Sequence, residues 1–187
     1  MRTVDTVLVG APPEHVFKWA STVERWPEIL PHYRWVRMLE RRGEGGLVEM
    51  AAWRPFGPLR WPTWWASEMS VDRPRREVRY RHVRGITTGM DVLWTVDAEG
   101  TGTRATIVHD WDGPPWPLIR RPAAEWVIGP IFVHGIASRT LAGIAAAAER
   151  EHQNHGVSAK SAPSASSASS FLTSPAPAGS PPKETDA

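Results

Sequence analysis

Four polar side chains able to bind or move a proton lie among bulky residues in segments typical of β-strands. Ser67 and His82 alternate with aromatic or apolar neighbours, as do Tyr33 and His109 in two other segments. Because side chains alternate between the two faces of a strand, all four share a face with bulky residues. A hydroxyl donates a hydrogen bond to a developing oxyanion, and an imidazole exchanges protons near neutral pH. We therefore predict Tyr33, Ser67, His82 and His109 as candidate catalytic residues.

Tryptophan is the anomaly of the composition, with 11 residues in a chain of 187. An ordinary core does not need so much flat aromatic area, whereas the wall of a binding cavity does. The pattern therefore predicts an aromatic-walled cavity for a flat, hydrophobic ligand. The residues expected to shape it are Trp26, Trp65, Met69, Met90 and Trp94.

The segments that must position these side chains are short, alternate in polarity, and are bounded by Gly, Pro or Asp. Strands are predicted at residues 3–9, 33–40, 46–54, 61–71, 77–84, 87–96 and 103–111. Two short helices follow the first strand, since a proline and an acid begin each one. A long helix is predicted from Ala123 to about His152, with apolar residues on one face.

This order of elements predicts an α+β fold, in which a curved antiparallel sheet of seven strands wraps around the long C-terminal helix. An internal hydrophobic cavity is expected between the sheet and the helix. Alternation places Trp61, Thr63, Trp65, Ser67 and Met69 on the inward face of the fourth strand, and Thr88, Met90, Val92, Trp94 and Val96 on that of the sixth. Residues 1–152 are predicted to form this domain, and the Ser/Ala/Pro-rich residues 153–187 a disordered tail.

Several classes of function are disfavoured by what the sequence lacks. There is no cysteine, which excludes disulfides and thiolate sites. Neither a metal-ligand motif nor a GxGxxG or phosphate-loop motif is present, so we expect no metal and no nucleotide cofactor. No apolar stretch is long enough for a membrane span, and the first residues do not resemble a signal peptide. A cytoplasmic location is therefore expected.

Four stretches together resemble a known family. They are VGAPPEHVFKWASTVERWPEILPHY (9–33), LWTV (93–96), GTRATIVHDW (102–111) and RTLAGIAAAAE (139–149). They resemble the START-like (helix-grip, SRPBCC) superfamily, and within it the polyketide cyclase/dehydrase and coenzyme Q-binding branch. The resemblance covers Thr3 to about Glu151. It implies a helix-grip fold with a hydrophobic pocket, in which cyclases fold a poly-β-ketone for aldol ring closure and dehydration.

The resemblance also implies roles for single residues. Trp26, Tyr33, Ser67 and Trp94 match cavity residues of aromatic polyketide cyclases. Two pocket arginines of such cyclases are replaced here, by Met69 and by His82. Since a fixed cation is the obvious stabiliser of an enolate, His82 would substitute only in its protonated form.

Two functions from different classes stay open. The first is a polyketide cyclase/dehydrase acting without a cofactor, favoured by WPEI followed by Tyr33. The second is a non-catalytic quinone or lipid carrier, favoured by Pro31. A helix-grip protein of unassigned ligand is the third possibility.

The basic stretch 73–84 has two interpretations. The first is a solvated strand edge whose charge prevents aggregation. The second is a docking site for an acidic acyl carrier protein, and nucleic acid is disfavoured because the domain is nearly neutral. The residues concerned are Arg73, Arg75, Arg76, Arg79 and Arg81.

Overall fold

Alternating side chains build a single antiparallel sheet, here described in a computed structural model that covers residues 1–56, 59–113 and 134–160. The sheet has seven strands in the order β1-β7-β6-β5-β4-β3-β2, so consecutive strands are neighbours except where β1 closes against β7. The strands are β1 Arg2–Val9, β2 Tyr33–Arg42, β3 Gly45–Phe56, β4 Leu59–Asp72, β5 Glu77–Gly85, β6 Asp91–Glu99 and β7 Gly102–Asp110. The predicted curved meander is thus confirmed.

Helices cover the concave face of the sheet. Helix α1 spans Pro13–Ser21 and begins with a proline followed by Glu14, as predicted. A single 3-10 turn, Val23–Arg25, leads into the short helix α2, Trp26–Ile29. The long helix α3 spans His134–Lys160. The fold is therefore the predicted helix-grip fold, with its core between the sheet and α3.

Two boundaries differ from the prediction. Helix α3 continues past His152 to Lys160, so the first residues of the predicted tail are helical, while residues 123–133 and 161–187 lie outside the described part. Strand β6 begins at Asp91, whereas residues 86–89 form a turn. The reason is local, since Gly85 and Gly89 both have positive φ values, which end the strand pattern. Thr88 is therefore exposed in this turn and does not lie on the inward face of β6.

Helix α2 packs against α3 at a glycine. A Cβ atom at Gly143 would lie 2.2 Å from Cδ2 of Leu30, which is almost fully buried. The missing side chain of Gly143 thus creates the space that Leu30 fills. This close approach fixes the segment that carries Trp26 and Tyr33 against the helix.

Strands β3 and β4 extend beyond their neighbours. Pairing of β5 with β4 ends at Gly85 opposite Trp65. On the side of β3 that faces β2, strand pairing ends at Ala52 opposite Tyr33. One further backbone hydrogen bond, from the Trp53 amide to the His32 carbonyl, follows at 2.8 Å. Residues 54–56 and 59–64 therefore form a projecting two-stranded segment, which we call the ribbon. Trp61, predicted to face inward, lies on the ribbon and is 61% exposed.

Candidate functional site

A cavity lies between the concave face of the sheet and helix α3. Its walls come from α2, from the six strands β2 to β7, from the turn before β6 and from the first turns described of α3. Its volume is about 60 Å³, less than the roughly 150 Å³ of a protein cavity that binds benzene. Two flexible methionines, Met50 and Met90, belong to the wall. A ring-sized ligand therefore requires these side chains to adjust, which the thioether chain does readily.

Aromatic rings form one side of the cavity. The centroid of Trp26 lies 5.2 Å from that of Tyr33 and 5.6 Å from that of Trp94, and Tyr33 lies 6.1 Å from Trp65. The indole nitrogen of Trp26 donates to the Trp19 carbonyl at 2.9 Å, which fixes its ring. The structure thus brings together three predicted tryptophans and Tyr33 as one wall, where a flat ligand can stack.

Two tyrosine hydroxyls belong to this cavity. Burial raises the pKa of Tyr33 to about 12, even though Thr140 hydrogen-bonds to it and Arg54 lies nearby. Burial likewise raises the pKa of Tyr80 well above its ordinary value. The Tyr80 hydroxyl is buried and has no hydrogen-bond partner among the described residues. Both phenols are therefore neutral donors at physiological pH, and Tyr80 has its donor available for a ligand.

The two predicted histidines line the cavity as neutral imidazoles. Burial, and then the nearby His109 and Arg54, lowers the pKa of His82 to about 3. Burial and Arg54 lower that of His109 to about 3 as well. His82 stacks on Trp65 with ring centroids 6.0 Å apart, and its Nδ1 lies 2.6 Å from the Thr87 hydroxyl. Only Nε2 of His82 thus remains for a ligand, and the ring does not supply a cation.

These pKa values have a consequence for stability. The folded pKa of His82 and His109 lies far below the ordinary value of 6.5. The unfolded chain therefore binds more protons than the folded one as pH falls below about 6.5, and stability is lost in that window. We therefore expect the melting temperature to fall as the pH is lowered from about 6.5 to about 5, a range above that in which most carboxylates titrate.

The expected loss is tested with His82→Gln. Thermal unfolding of this variant should depend less on pH over the same window than that of the wild type. His152→Gln, which changes an exposed histidine on α3, is the matched control and should keep the wild-type slope. Equal slopes for all three proteins would show that the buried imidazole does not govern acid stability.

The cation of the cavity is Arg54, which was not among the predicted site residues. Its side chain is buried, and Nε donates to the Thr63 hydroxyl at 3.0 Å. Its guanidinium carbon lies 5.5 Å from the centroid of the Trp65 ring. Burial lowers its pKa to about 10, which leaves the group charged at neutral pH. The signal in the sequence is alternation, because Arg54 follows Met50 and Ala52 on the inward face of β3.

The remaining two predicted residues lie near the cavity without lining it. Ser67 is completely buried opposite His82 in the register of β4 and β5, directly after a bulge, and its hydroxyl has no partner among the described residues. Met69 is buried opposite Tyr80. Trp26, Tyr33, Trp65, His82, Met90, Trp94 and His109 do line the cavity.

The basic stretch lies on the convex face of β5 and in the turn before it. Strand β5 is an inner strand of the sheet, so the interpretation as a strand edge is wrong. The stretch contains six arginines. Arg84 is exposed and forms no ion pair with the described part of the chain, whereas each of the other five has a carboxylate partner, which reduces the charge it offers to another protein. The pairs are Arg73–Glu44, Arg75–Asp72, Arg76–Glu14, Arg79–Glu77 and Arg81–Asp91.

In the part of the chain that the structure describes, no group of three or more His, Asp or Glu side chains could hold a metal ion. None of the helices in these ranges is both long and apolar enough to span a membrane.

Comparison with known proteins adds a family. Residues 9–130 match the family described as polyketide cyclase / dehydrase and lipid transport. A putative polyketide cyclase from Streptomyces cyaneus is 26% identical over 110 residues, which cover 58% of this chain and 71% of that protein.

Two solved structures share the fold. The Zhui aromatase/cyclase from Streptomyces sp. R1128 is 21% identical with a TM-score of 0.62, and the match covers 81% of this chain and 94% of that one. A START superfamily protein from Mycobacterium smegmatis is 16% identical with a TM-score of 0.55, covering 82% and 98% of the two chains.

Proposed function

The chain belongs to the polyketide cyclase/dehydrase and lipid transport family, and we propose that it directs aldol ring closure and dehydration of a poly-β-ketone or related intermediate. The observation that carries this proposal is that the buried cation Arg54 and the phenols Tyr33 and Tyr80 line one tryptophan-walled cavity. A neutral lipid needs only an apolar wall. A fixed cation with two neutral donors suits a ligand whose oxygens become negatively charged.

The reaction needs a bent substrate, a stabilised enolate and transferred protons. Trp26, Trp65 and Trp94 hold the chain of carbonyls in a folded shape by stacking. A base removes a proton from a methylene between two carbonyls, and the guanidinium of Arg54 stabilises the enolate oxygen. The enolate carbon then bonds to a second carbonyl carbon, whose oxygen takes up a proton. The dehydration step then follows, in which this hydroxyl and a proton from the adjacent carbon leave as water.

We assign the base to a cavity imidazole, His82 or His109. Both are neutral, so each has a lone pair available at working pH. Their low pKa makes them weak bases in the empty cavity, but an enolate forming beside the ring raises the pKa of that ring. Tyr33 and Tyr80 donate to the carbonyl oxygens that accept charge. Ser67, which lies opposite His82 in the register of β4 and β5, stays a prediction as a hydrogen-bond donor to the enolate oxygen.

The ketide would reach the cavity on an acyl carrier protein. We propose the convex arginines as its docking site, with intermolecular ion pairs replacing the intramolecular ones. Replacing one exposed ion pair by another contributes little to the free energy of binding. The contact with the carrier protein would therefore be weak and sensitive to salt.

A direct experiment tests the proposed function. A reactive ketide on its carrier protein is incubated without protein, with wild type, and with Ser67→Ala or His82→Ala, and the ring products are quantified. Wild type should shift the product ratio toward one ring pattern, and His82→Ala should reverse the shift. Identical ratios with and without wild type would exclude the cyclase.

Non-catalytic carriage of a quinone or lipid is the second candidate, favoured by the low pKa of His82 and His109. A prenylquinone or lipid that co-purifies with the protein, together with unchanged ring products, would establish this function instead.

Tyr80→Phe provides a more specific prediction. Removing only the hydroxyl deletes a donor that has no described protein partner, so folding stability should stay the same or rise. Ring closure should slow about tenfold or more, as expected for loss of one hydrogen bond that strengthens in the transition state. Single-turnover kinetics and thermal unfolding measure the two quantities. A fall in stability with an unchanged rate would contradict the assignment.

A further inference from the structure

The ribbon exposes tryptophan on both of its faces. Trp61 pairs with Arg54 and so belongs to the concave side of the sheet, yet it is 61% exposed. Trp64 pairs with Ala51 on the convex side and is 50% exposed. At the base of the ribbon, Ile86 of the turn before β6 is also exposed. Large exposed apolar side chains therefore lie on both faces and at the base of the ribbon, and they do not form one flat patch.

The charge of the ribbon has one sign. Residues 50–67 contain Arg54 and Arg60 and no Asp or Glu. Arg60 is exposed and forms no ion pair with the part of the chain that the structure describes. It shares this property with Arg84 at the end of β5 and differs from the five ion-paired arginines of β5 and the turn before it. The ribbon thus offers an uncompensated positive charge beside exposed indole rings.

The open edge of the ribbon does not suit the addition of another strand. The Trp53 amide points toward β2, where it bonds to the His32 carbonyl. Trp53 and its partner Pro62 are therefore a non-hydrogen-bonded pair, and the backbone nitrogen of Pro62 faces the open edge. Because proline has no N–H, this edge lacks a donor at Pro62, in the middle of the ribbon. A partner that pairs with the strand is disfavoured.

From these features we propose that the ribbon docks into the headgroup region of an anionic lipid membrane. Indole rings favour this interfacial region, and a lipid headgroup layer contacts both faces of a narrow ribbon, which a flat protein surface does not. The exposed Arg60 pairs with lipid phosphates. Attraction of about 1 kcal/mol for an arginine at an anionic surface corresponds to about a fivefold change in binding.

Docking would connect the membrane with the cavity. Arg54 of the ribbon and Trp65 at its base both line the cavity, so the docked ribbon places a cavity wall next to the headgroups. A hydrophobic ligand would then enter or leave from the lipid phase. This inference goes beyond the proposed ring closure, and vesicle binding is measured without any substrate.

The experiment is co-flotation of the full chain with vesicles. One set contains equimolar phosphatidylcholine and phosphatidylglycerol, and the other phosphatidylcholine alone. We expect binding to the anionic set, about tenfold weaker for Trp61→Ala/Trp64→Ala and about fivefold weaker for Arg60→Gln. Leu8→Ala on β1, also exposed, and Arg79→Gln, an ion-paired arginine, are matched controls that should bind as wild type.

Each other outcome overturns the proposal. If the wild type does not bind the anionic vesicles, the proposal is wrong. It is also wrong if Trp61→Ala/Trp64→Ala binds these vesicles as well as Leu8→Ala does. Equal binding to both vesicle sets removes the role of Arg60. Gel filtration and a carrier-protein binding assay run on the same variants: if only self-association or only carrier binding is lost in the tryptophan variant, the ribbon is a protein interface. Thermal unfolding confirms that all variants are folded.

Discussion

Arg54→Met should reduce the rate of ring closure about 10²- to 10³-fold, the loss typical of removing one preorganised group that stabilises an oxyanion. The guanidinium is the charge that lies among neutral imidazoles and phenols in the cavity. Its removal leaves the enolate with hydrogen bonds from tyrosines alone. Single-turnover formation of the ring product measures this effect.

The same substitution should lower stability, because it breaks the bond from Nε to the Thr63 hydroxyl and the further interactions of this buried side chain. The loss is reduced because methionine does not carry the desolvated charge whose pKa burial lowers. Thermal unfolding shows that the variant is folded where the rate is measured. A slow but folded variant would thus separate catalysis from folding. Arg104→Met, which changes an exposed arginine of β7 paired with Glu99, is the control and should keep the rate. A variant at position 54 that retains the wild-type rate would exclude Arg54 as the stabiliser.

Trp94→Ala should have the largest effect on stability, about 3–5 kcal/mol in the free energy of unfolding. Trp94 is 3% exposed, and the centroid of its ring lies 5.6 Å from that of Trp26. Truncation also enlarges the small cavity beside it. We therefore expect the variant to accept larger polycyclic ligands that the wild type excludes. Denaturant unfolding measures the first effect, and tryptophan fluorescence quenching by a series of ligands measures the second.

Trp64→Ala is the matched control for this truncation, because Trp64 is half exposed on the ribbon. It should destabilise the protein far less and leave ligand size preference unchanged. A similar loss of stability in both variants would show that Trp94 does not carry the core packing expected from its burial.

Alternation predicted the sheet well because it reflects burial of one face. The inward positions of β5, including Tyr80 and His82, and of β7, including Ile107, are those found in the structure. The predicted start of β6 was too early because Thr87 and Thr88 of the glycine turn after β5 are β-branched residues that favour strands. Such turns depend on positive φ values, which hydrophobic periodicity does not record.

Arg54 was not predicted as a site residue, although alternation with Met50 and Ala52 places it on the inward face of β3. A charged residue in a strand segment is usually assigned to the solvent face, and the burial of this one depends on Thr63 and Trp65 across the β3–β4 register. The protonation state of His82 could not be predicted from the sequence either. A histidine usually titrates near neutral pH, whereas burial lowers the pKa of this one.

The cation Arg54 also acts on whatever the cavity holds. A phenol or an enol bound within reach of Arg54 becomes a stronger acid than it is in water, because the guanidinium favours its anion. Conjugated phenolates absorb at longer wavelengths than the corresponding phenols. The cavity of this protein would therefore change the colour of an aromatic product at neutral pH, and the absorbance of the bound product would report directly on the charge at residue 54.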